Sequence, residues 1–426
     1  MRTVCRRAVA ALLSMLAACA ATIMLGAPPA LAHPPPPPPP PVQTPDTSGC
    51  PYRLVPPPAV DLSEVPAPGS TAPTPVPLSP DPVGGPLMGE CGLVLPAGAP
   101  PLPPGLTAAS WLVADADSGE VLAAKDPHGR HRPASVLKLF TALLAADQLP
   151  PDRVVTATQV DADQEGSSVG LGPGGRYTVR QLLTGLLLVS GNDAAHALAT
   201  QLGGVSQTVA QMNDLAGRLG ALDTRAATPS GLDGPGMSTS AYDLALVFRQ
   251  VLSRPLLVEL LGTEQVPFPG FANRPGFVVA NQNKLLRDYH GEIGGKTGFT
   301  DDARHTQIDA AQRGGRRLIV VLMQGEQRPV PMFEQVVRLF DYGFALPAGQ
   351  PVGRLVDGPP EQTPSETPPA AQAQGHAGNG AVATHRDRQP ATGSDGLVTA
   401  LVLIGAATVV LGVLGALVAR QRHRTG

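Results

Sequence analysis

The middle of the chain alternates between two hydrophobic periods. Trp111 to Ala116 reads as a strand. Asp117-Ser118-Gly119 reads as a turn, and Glu120 to Ala124 runs back, so the segment predicts a hairpin. Ser135 to Leu149 places apolar residues at helical spacing. Val179 to Val189 and Ala194 to Leu202 predict two helices with a break at Ser190-Gly191-Asn192. Gln207 to Leu219 and Tyr242 to Leu252 are further helices, the second capped by Ser240. Arg316 to Met323 is an apolar strand, and Val330 to Tyr342 a closing amphipathic helix. A strand pair, then helices, strands and a last helix predict an α/β or α+β layout, a sheet with helices packed on it. This region is long enough for one large core, and it contains no internal repeat.

Both ends break the pattern. Arg2, Arg6 and Arg7 precede an apolar run from Ala8 to Leu25, and Ala30-Leu31-Ala32 is a small-x-small cleavage site. Residues 1–32 therefore read as a secretory signal, with an uncleaved anchor as the rival reading. Leu16-Ala17-Ala18-Cys19 would suit lipid attachment, but the apolar stretch continues past Cys19. Residues 34 to 41 are all proline, which favours extended polyproline II, and 33–105 is expected to be a proline-rich extracytoplasmic linker. The globular part is then 106–346, followed by a flexible linker over 347–395. Gly396 to Ala419 is a run of 24 uncharged residues, long enough to span a bilayer. Arg420, Arg422 and Arg424 follow it and hold the tail, 420–426, on the cytoplasmic side. The expectation is an exported protein anchored in the plasma membrane by a C-terminal transmembrane helix, with its globular part on the extracytoplasmic face. Cys5 and Cys19 leave with the signal. Cys50 and Cys91 remain, an even pair in an exported chain, and are expected to form a disulfide. Closing that loop stabilises by roughly 3–4 kcal/mol in the chain-entropy model.

Composition changes this picture only by exclusion. A net charge of −3 with 15% charged residues disfavours a basic nucleic-acid binder and a charged disordered chain. Lysine is scarce, present only at 125, 138, 284 and 296.

That scarcity sharpens the candidate chemistry. Ser135 and Lys138 stand three residues apart, on one face of a helix. A serine needs a base before it can attack. Lysine can be that base only when neutral, which burial or a neighbouring cation favours, and Val136, Leu137, Leu139 and Phe140 supply apolar flanks. Ser190 and Asn192, at the break between two helices, offer a hydroxyl and an amide to a cleft. Lys296 and Thr297 would show a cation and a hydroxyl to a carboxylate from a strand, and Gly298 would let backbone approach closely. Each motif alone has a plain structural reading: a helix start, a capping turn, a glycine-rich hairpin. Their order and their spacing near 50 and 100 residues make the combination specific.

In these motifs the chain resembles the low-molecular-mass penicillin-binding proteins, the serine D-alanyl-D-alanine carboxypeptidases, in an actinobacterial style. The resemblance covers about Leu106 to Phe344. It includes Asp117-Ser118-Gly119-Glu120-Val121-Leu122, Pro133-Ala134-Ser135, Ser190-Gly191-Asn192-Asp193-Ala194-Ala195, Pro229-Ser230-Gly231-Leu232-Asp233 and Gly295-Lys296-Thr297-Gly298-Phe299-Thr300. It implies a serine DD-peptidase or β-lactamase-like fold, an antiparallel sheet flanked by helices with a helical subdomain, and no cofactor or metal. By resemblance Ser135 is the acyl-ester nucleophile, Lys138 the general base and Ser190 a proton relay. Asn192, Lys296, Thr297, Gly298 and Phe299 bind the substrate, with the backbone N–H groups of Ser135 and Phe299 as oxyanion hole. The implied partners are peptidoglycan pentapeptide as substrate and β-lactam antibiotics as inhibitors; which protein partners, if any, meet the linkers is left open.

Two features depart from relatives. Gln327-Arg328-Pro329-Val330-Pro331-Met332 places no arginine in the register that often holds the substrate carboxylate, so Arg328 or Arg304 is the candidate substitute. A β-rich domain that some relatives carry after the catalytic one is not expected. A β-lactamase is the enzymatic alternative, although no Glu-x-x-Leu-Asn supplies a deacylating glutamate. A β-lactam or muropeptide sensor and a wall scaffold are the non-enzymatic ones. Gly170-x-Gly172-x-Gly174-Gly175 reads as a turn rather than a phosphate loop, because Pro173 removes an amide. His196, His290 and His305 lack mutual ligand spacing, and Asp301-Asp302 is expected to be a solvated turn.

Overall fold

The computed structural model describes residues 45–347 and 349–359. The signal at 1–32, the run of prolines at 34–41, most of the second linker, and the expected membrane span and tail lie outside the described residues. Among the described residues no helix is long and apolar enough to cross a membrane.

A central antiparallel sheet organises the chain. Its strands are β1 (Leu93–Val94), β2 (Ser110–Asp115), β3 (Glu120–Lys125), β8 (Glu292–Thr300), β9 (Arg304–Arg313) and β10 (Arg316–Gly325), in the order β1-β3-β2-β10-β9-β8. A seventh, β11 (Gly353–Arg354), pairs with β3. Two small hairpins lie apart, β4 (Val154–Thr156) with β5 (Arg176–Thr178), and β6 (Gln265–Phe268) with β7 (Phe277–Ala280). Alternation along the strands builds two cores. On β10, Ile319, Val321 and Met323 face the larger core, while Leu318, Val320 and Leu322 face the smaller. The larger core holds the helices Lys138–Gln148, Val179–Leu188 and Ala241–Leu252; the smaller is closed by the helix Met332–Ala345.

The predicted hairpin and helices appear within a few residues of their expected bounds. Ser240 caps its helix, its hydroxyl accepting from the Asp243 N–H. The helix expected from Ser135 opens as a 3-10 turn, Ala134–Leu137, and becomes α-helical at Lys138. Residues i and i+3 eclipse in a 3-10 turn, so Lys138 stands more directly over Ser135 than an α-helix would place it.

The largest departure is the proline-rich segment. Residues 45–105 are not a free linker; they are laid over the sheet unit and fastened to it. Proline has no N–H, so such a stretch presents mainly carbonyls, and the globular unit meets them with cations. Lys125 Nζ donates to Pro45 O at 2.6 Å, Arg132 to Pro57 O at 2.6 Å and Arg225 to Thr74 O at 2.6 Å. The guanidinium of Arg130, fully buried, donates to the carbonyls of Leu54, Val76 and Pro77 while its Nε holds Asp223. Cys50 and Cys91 form a disulfide with a Cα–Cα distance of 5.3 Å, within the usual range. Asp302, expected in a solvated turn, is instead buried: it accepts from Val60 N and Ser63 Oγ and so anchors the arm. At the other end, β11 carries the packed unit past residue 346, where the second linker was expected to begin.

Candidate active site

The 3-10 turn puts Ser135, half-buried, at the mouth of a cleft of about 1010 Å³. Ser190, Thr297, Gly298 and Phe299 line the same cleft, and Lys138, Asn192 and Lys296 are buried behind that wall. The three motifs, far apart in sequence, thus meet at one place.

Lys138 is the hub. Its Nζ lies 2.8 Å from Ser135 Oγ, 2.7 Å from Asn192 Oδ1 and 2.6 Å from Ser230 O. Two of these neighbours only accept hydrogen bonds; the serine hydroxyl can also donate. A neutral amine fits this set: its two hydrogens go to Asn192 and Ser230, and its lone pair faces the Ser135 hydroxyl. Complete burial, then the charge of Lys296, holds Lys138 well below the ordinary lysine range, against the opposing pull of Asp193. Lys296 is itself lowered to about 7 by burial, with Asp309 acting against the shift.

Ser190 follows the helix Val179–Leu188 in left-handed backbone, at φ 63°. Its buried hydroxyl has no hydrogen-bond partner among the described residues. Asn192 opens the next helix and is fixed on three sides: its Oδ1 holds Lys138, its Nδ2 donates to Glu165 O at 2.6 Å and its N–H to Ser167 O at 2.7 Å. Asp193 finishes the job. Its carboxylate accepts from the backbone N–H groups of Val169, Gly170 and Leu171, pinning the loop that brings Ser167 to the cleft. The glycines of that loop form a turn, with Gly175 N donating to Gly172 O.

Gly298 allows a close approach, and the neighbour is the nucleophile turn itself. A Cβ there would stand 2.8 Å from Ser135 N and 3.0 Å from Ala134 Cβ. Thr306 Oγ1 donates to Pro133 O at 2.9 Å and ties the adjacent strand to the same turn.

Several cleft residues were not among the expected site residues: Ser167, Gln282, Lys284, Gln307, Gln327, Met332 and Phe333. Neither arginine considered for the carboxylate borders the cleft. Arg304 is held in two hydrogen bonds by Glu326, at 2.8 and 3.0 Å, and Arg328 is exposed and does not line the cleft. The cation that lines the cleft is Lys284, over the Phe333 ring at 5.5 Å. Its membership of a set of only four lysines was the available clue. His305 also faces the cleft, 4.6 Å from the Phe299 ring and 3.3 Å from Gln327 Nε2. His196 bonds Asp161, and His290 is exposed.

The profile of the peptidase S11 family, described as D-alanyl-D-alanine carboxypeptidase, matches residues 98–327. The chain belongs to that family. It is 47% identical over 266 residues to D-alanyl-D-alanine carboxypeptidase DacB2 of Mycobacterium tuberculosis, covering 62% of this chain and 90% of that protein. It is 31% identical over 244 residues to DacF of Bacillus subtilis, covering 56% of this chain and 62% of that one. Among solved structures, a D-alanyl-D-alanine carboxypeptidase of M. tuberculosis H37Rv superimposes with a TM-score of 0.59 at 47% identity, covering 62% of this chain and all of that one. A variant of a Streptomyces DD-transpeptidase gives 0.55 at 28% identity, covering 57% of this chain and all of its own. The sheet and helices therefore form the serine DD-peptidase fold, and the protein is a serine hydrolase of this family.

Proposed function

We propose that this chain removes the terminal D-alanine from peptidoglycan stem peptides through an acyl-enzyme on Ser135. The observation that carries the reading is the set of neighbours around Lys138 Nζ: two obligate acceptors and one serine hydroxyl. Ser135 Oγ attacks the carbonyl carbon between the two D-alanines as its proton passes to Lys138. The backbone N–H groups of Ser135 and Phe299 receive the developing oxyanion; losing one such donor typically costs about 3–4 kcal/mol. The proton then goes to the departing amine, with Ser190 Oγ as relay, and D-alanine leaves. Water attacks the Ser135 ester as its proton passes to Lys138, which hands that proton to Ser135 Oγ as the shortened peptide leaves, restoring the free serine and the neutral amine. Thr297 and the charge of Lys296 receive the substrate carboxylate, with Lys284 as the cation facing it across the cleft. Asn192 holds Lys138 in place and the substrate beside it. A β-lactam enters the same site, and its ring opens to leave a Ser135 ester.

The protein works outside the cell, by this reading. The pattern of residues 1–32 supports export, and the uncharged run 396–419 with its arginine flank supports an anchor that leaves the catalytic unit on the extracytoplasmic face.

The test is release of D-alanine from a peptide ending in D-Ala-D-Ala by the purified chain, with Ser135→Ala as control. Release that depends on Ser135 supports the carboxypeptidase. A folded protein that acylates with penicillin yet releases no D-alanine would move the sensor reading ahead, and rapid turnover of penicillin the β-lactamase.

A further inference from the structure

One stretch of the proline-rich arm, residues 57–64, is held without burying much apolar surface. Its aliphatic side chains point to water: Val60 is 68% exposed and Leu62 81%. What holds the stretch is a pair of buried charges on the globular unit. Arg132, almost fully buried, donates from Nε to Glu64 Oε1 and from Nη1 to Pro57 O at 2.6 Å. Asp302, also buried, accepts from Val60 N at 2.5 Å and from Ser63 Oγ at 3.1 Å. The two charges lie close to each other, with Asp302 Oδ2 3.9 Å from Arg132 Nε.

Each of these charges belongs to an element that builds the active site. Arg132 stands three residues before Ser135, at the entry to the 3-10 turn Ala134–Leu137. Asp302 stands in the turn between β8 and β9, two residues past Thr300, where the strand with Lys296, Thr297, Gly298 and Phe299 ends. Turn and strand touch at the proposed oxyanion hole: a Cβ on Gly298 would stand 2.8 Å from Ser135 N. From within the globular unit, the bond from Thr306 Oγ1 to Pro133 O joins them. From outside, the arm joins them again. No residue of 57–64 lines the cleft, so the arm can act on the reaction only through Arg132 and Asp302. The stretch also lies upstream of residue 98, where the match to the family begins.

We propose that residues 57–64 are a strap that belongs to the active site, in which Ser63 and Glu64 are positioning residues that hold the nucleophile turn and the end of β8 at the spacing the oxyanion hole needs. The physical reason is the burial of Arg132. Removing one partner of a buried ion pair leaves the other charge uncompensated. Without Glu64 the guanidinium must turn towards water or towards Asp302, and it carries the entry to the Ser135 turn with it. Without Ser63 the Asp302 carboxylate loses an arm donor, and the end of β8 is freer to follow. The N–H groups of Ser135 and Phe299 then drift apart. The carboxylate-binding side chains Thr297, Lys296 and Lys284 make no contact with the strap, so substrate binding is left largely intact.

The inference rests on the reading of Ser135 and Phe299 as the oxyanion hole of a carboxypeptidase. Its test uses the full chain. kcat and KM are measured for a peptide ending in D-Ala-D-Ala, and the acylation rate with a fluorescent penicillin, well below each variant's cooperative melt. Ser63→Ala/Glu64→Ala should lose about tenfold in kcat and in acylation, as a shift of a few tenths of an ångström at reacting groups does. KM should stay within about twofold, the mark of an interaction made in the transition state. Glu64→Ala alone carries the same test, with a loss of severalfold, should the double variant fail to melt cooperatively. Arg225→Ala is the control for loosening of the arm in general. It frees the arm at Thr74 O, and Arg225 does not line the cleft. It should keep the wild-type kcat even where its melting temperature falls. Folded strap variants with the wild-type kcat and acylation rate overturn the inference. So does a rise in kcat, since the arm would then be a restraint, and so does an equal loss in Arg225→Ala. A wild type that acylates with penicillin but releases no D-alanine sinks the carboxypeptidase reading instead, and the acylation rates still decide for or against the strap.

Discussion

Gly298→Ala adds one methyl group where the fold has no room for it. The new Cβ would meet Ser135 N at 2.8 Å, Ala134 Cβ at 3.0 Å and Thr306 Oγ1 at 2.5 Å, where ordinary contact begins at 3.4 Å. None of these neighbours gives way cheaply. The turn is fixed by the Thr306–Pro133 hydrogen bond and by Gly231, which packs directly on Ala134 O. Strand and turn must therefore part by about 0.6 Å, and since a misplacement near 1 Å costs on the order of a hundredfold, the expected loss is roughly 10- to 20-fold in acylation. That corresponds to about 1.4–1.8 kcal/mol of barrier. The methyl group also widens the gap between the two N–H groups proposed to hold the oxyanion, so the loss should fall on kcat/KM rather than on folding. Stability should drop by ~1–3 kcal/mol, as overpacking usually does, with a cooperative melt retained. The assay is the second-order rate of acylation by a fluorescent penicillin. A variant that acylates within twofold of wild type would refute the argument that this strand must touch the nucleophile turn.

Three further expectations follow from the same geometry. Lys138→Arg should lose acylation by at least the 10²–10⁴-fold typical of a general base, because a guanidinium is never neutral; activity within tenfold of wild type would contradict the base assignment. For the wild type, a lowered Lys138 pKa means that acylation is supported above that pKa and fades as pH falls through it, an acid limb that Lys138→Arg should not show. Lys284→Ala should raise KM for a D-Ala-D-Ala peptide severalfold with kcat nearly unchanged, and an unaltered KM would remove Lys284 from the carboxylate site. His128 clamps the proline-rich arm with both ring nitrogens, 2.7 Å from Asp223 Oδ2 and 2.9 Å from Val83 O, so both must donate and the ring is cationic. Burial pulls its pKa down, but the bond and charge of Asp223 outweigh burial and leave it above 6.5. A raised folded-state pKa contributes stability that is fully present below about 6.5 and is lost as pH rises through the folded value. Amide exchange near Val83 should therefore quicken at alkaline pH beyond the intrinsic rate, and protection that does not change would contradict the clamp.

What the sequence revealed and what it concealed divide along physical lines. The hairpin at Trp111 and strand β10 were legible as short apolar runs, buried on both faces, and the main helices by the spacing of their apolar residues. The site was legible because its chemistry demands particular residue types, and the few lysines left little choice of partner for Ser135. Strand β9 escaped notice because its buried positions include Thr306, Gln307 and Asp309, which break the apolar pattern. The docking of residues 45–105 was hidden for a different reason. Proline content announces an extended chain, but not that its carbonyls will meet Arg130, Arg132 and Lys125, tens of residues away. Asp302 misled in the same way, since only the fold brings Val60 and Ser63 to it. Lys284 reaches the cleft through tertiary placement that no local motif encodes.

The central claim is a covalent step at one hydroxyl. It is tested most directly by mixing the protein with a peptide ending in D-Ala-D-Ala, quenching in acid, and mapping the acylated fragment by mass spectrometry. The account predicts a mass gain equal to the peptide minus one D-alanine, located on Ser135 and lost in Ser135→Ala. D-alanine released with no adduct on Ser135, or an adduct on another residue, would contradict it.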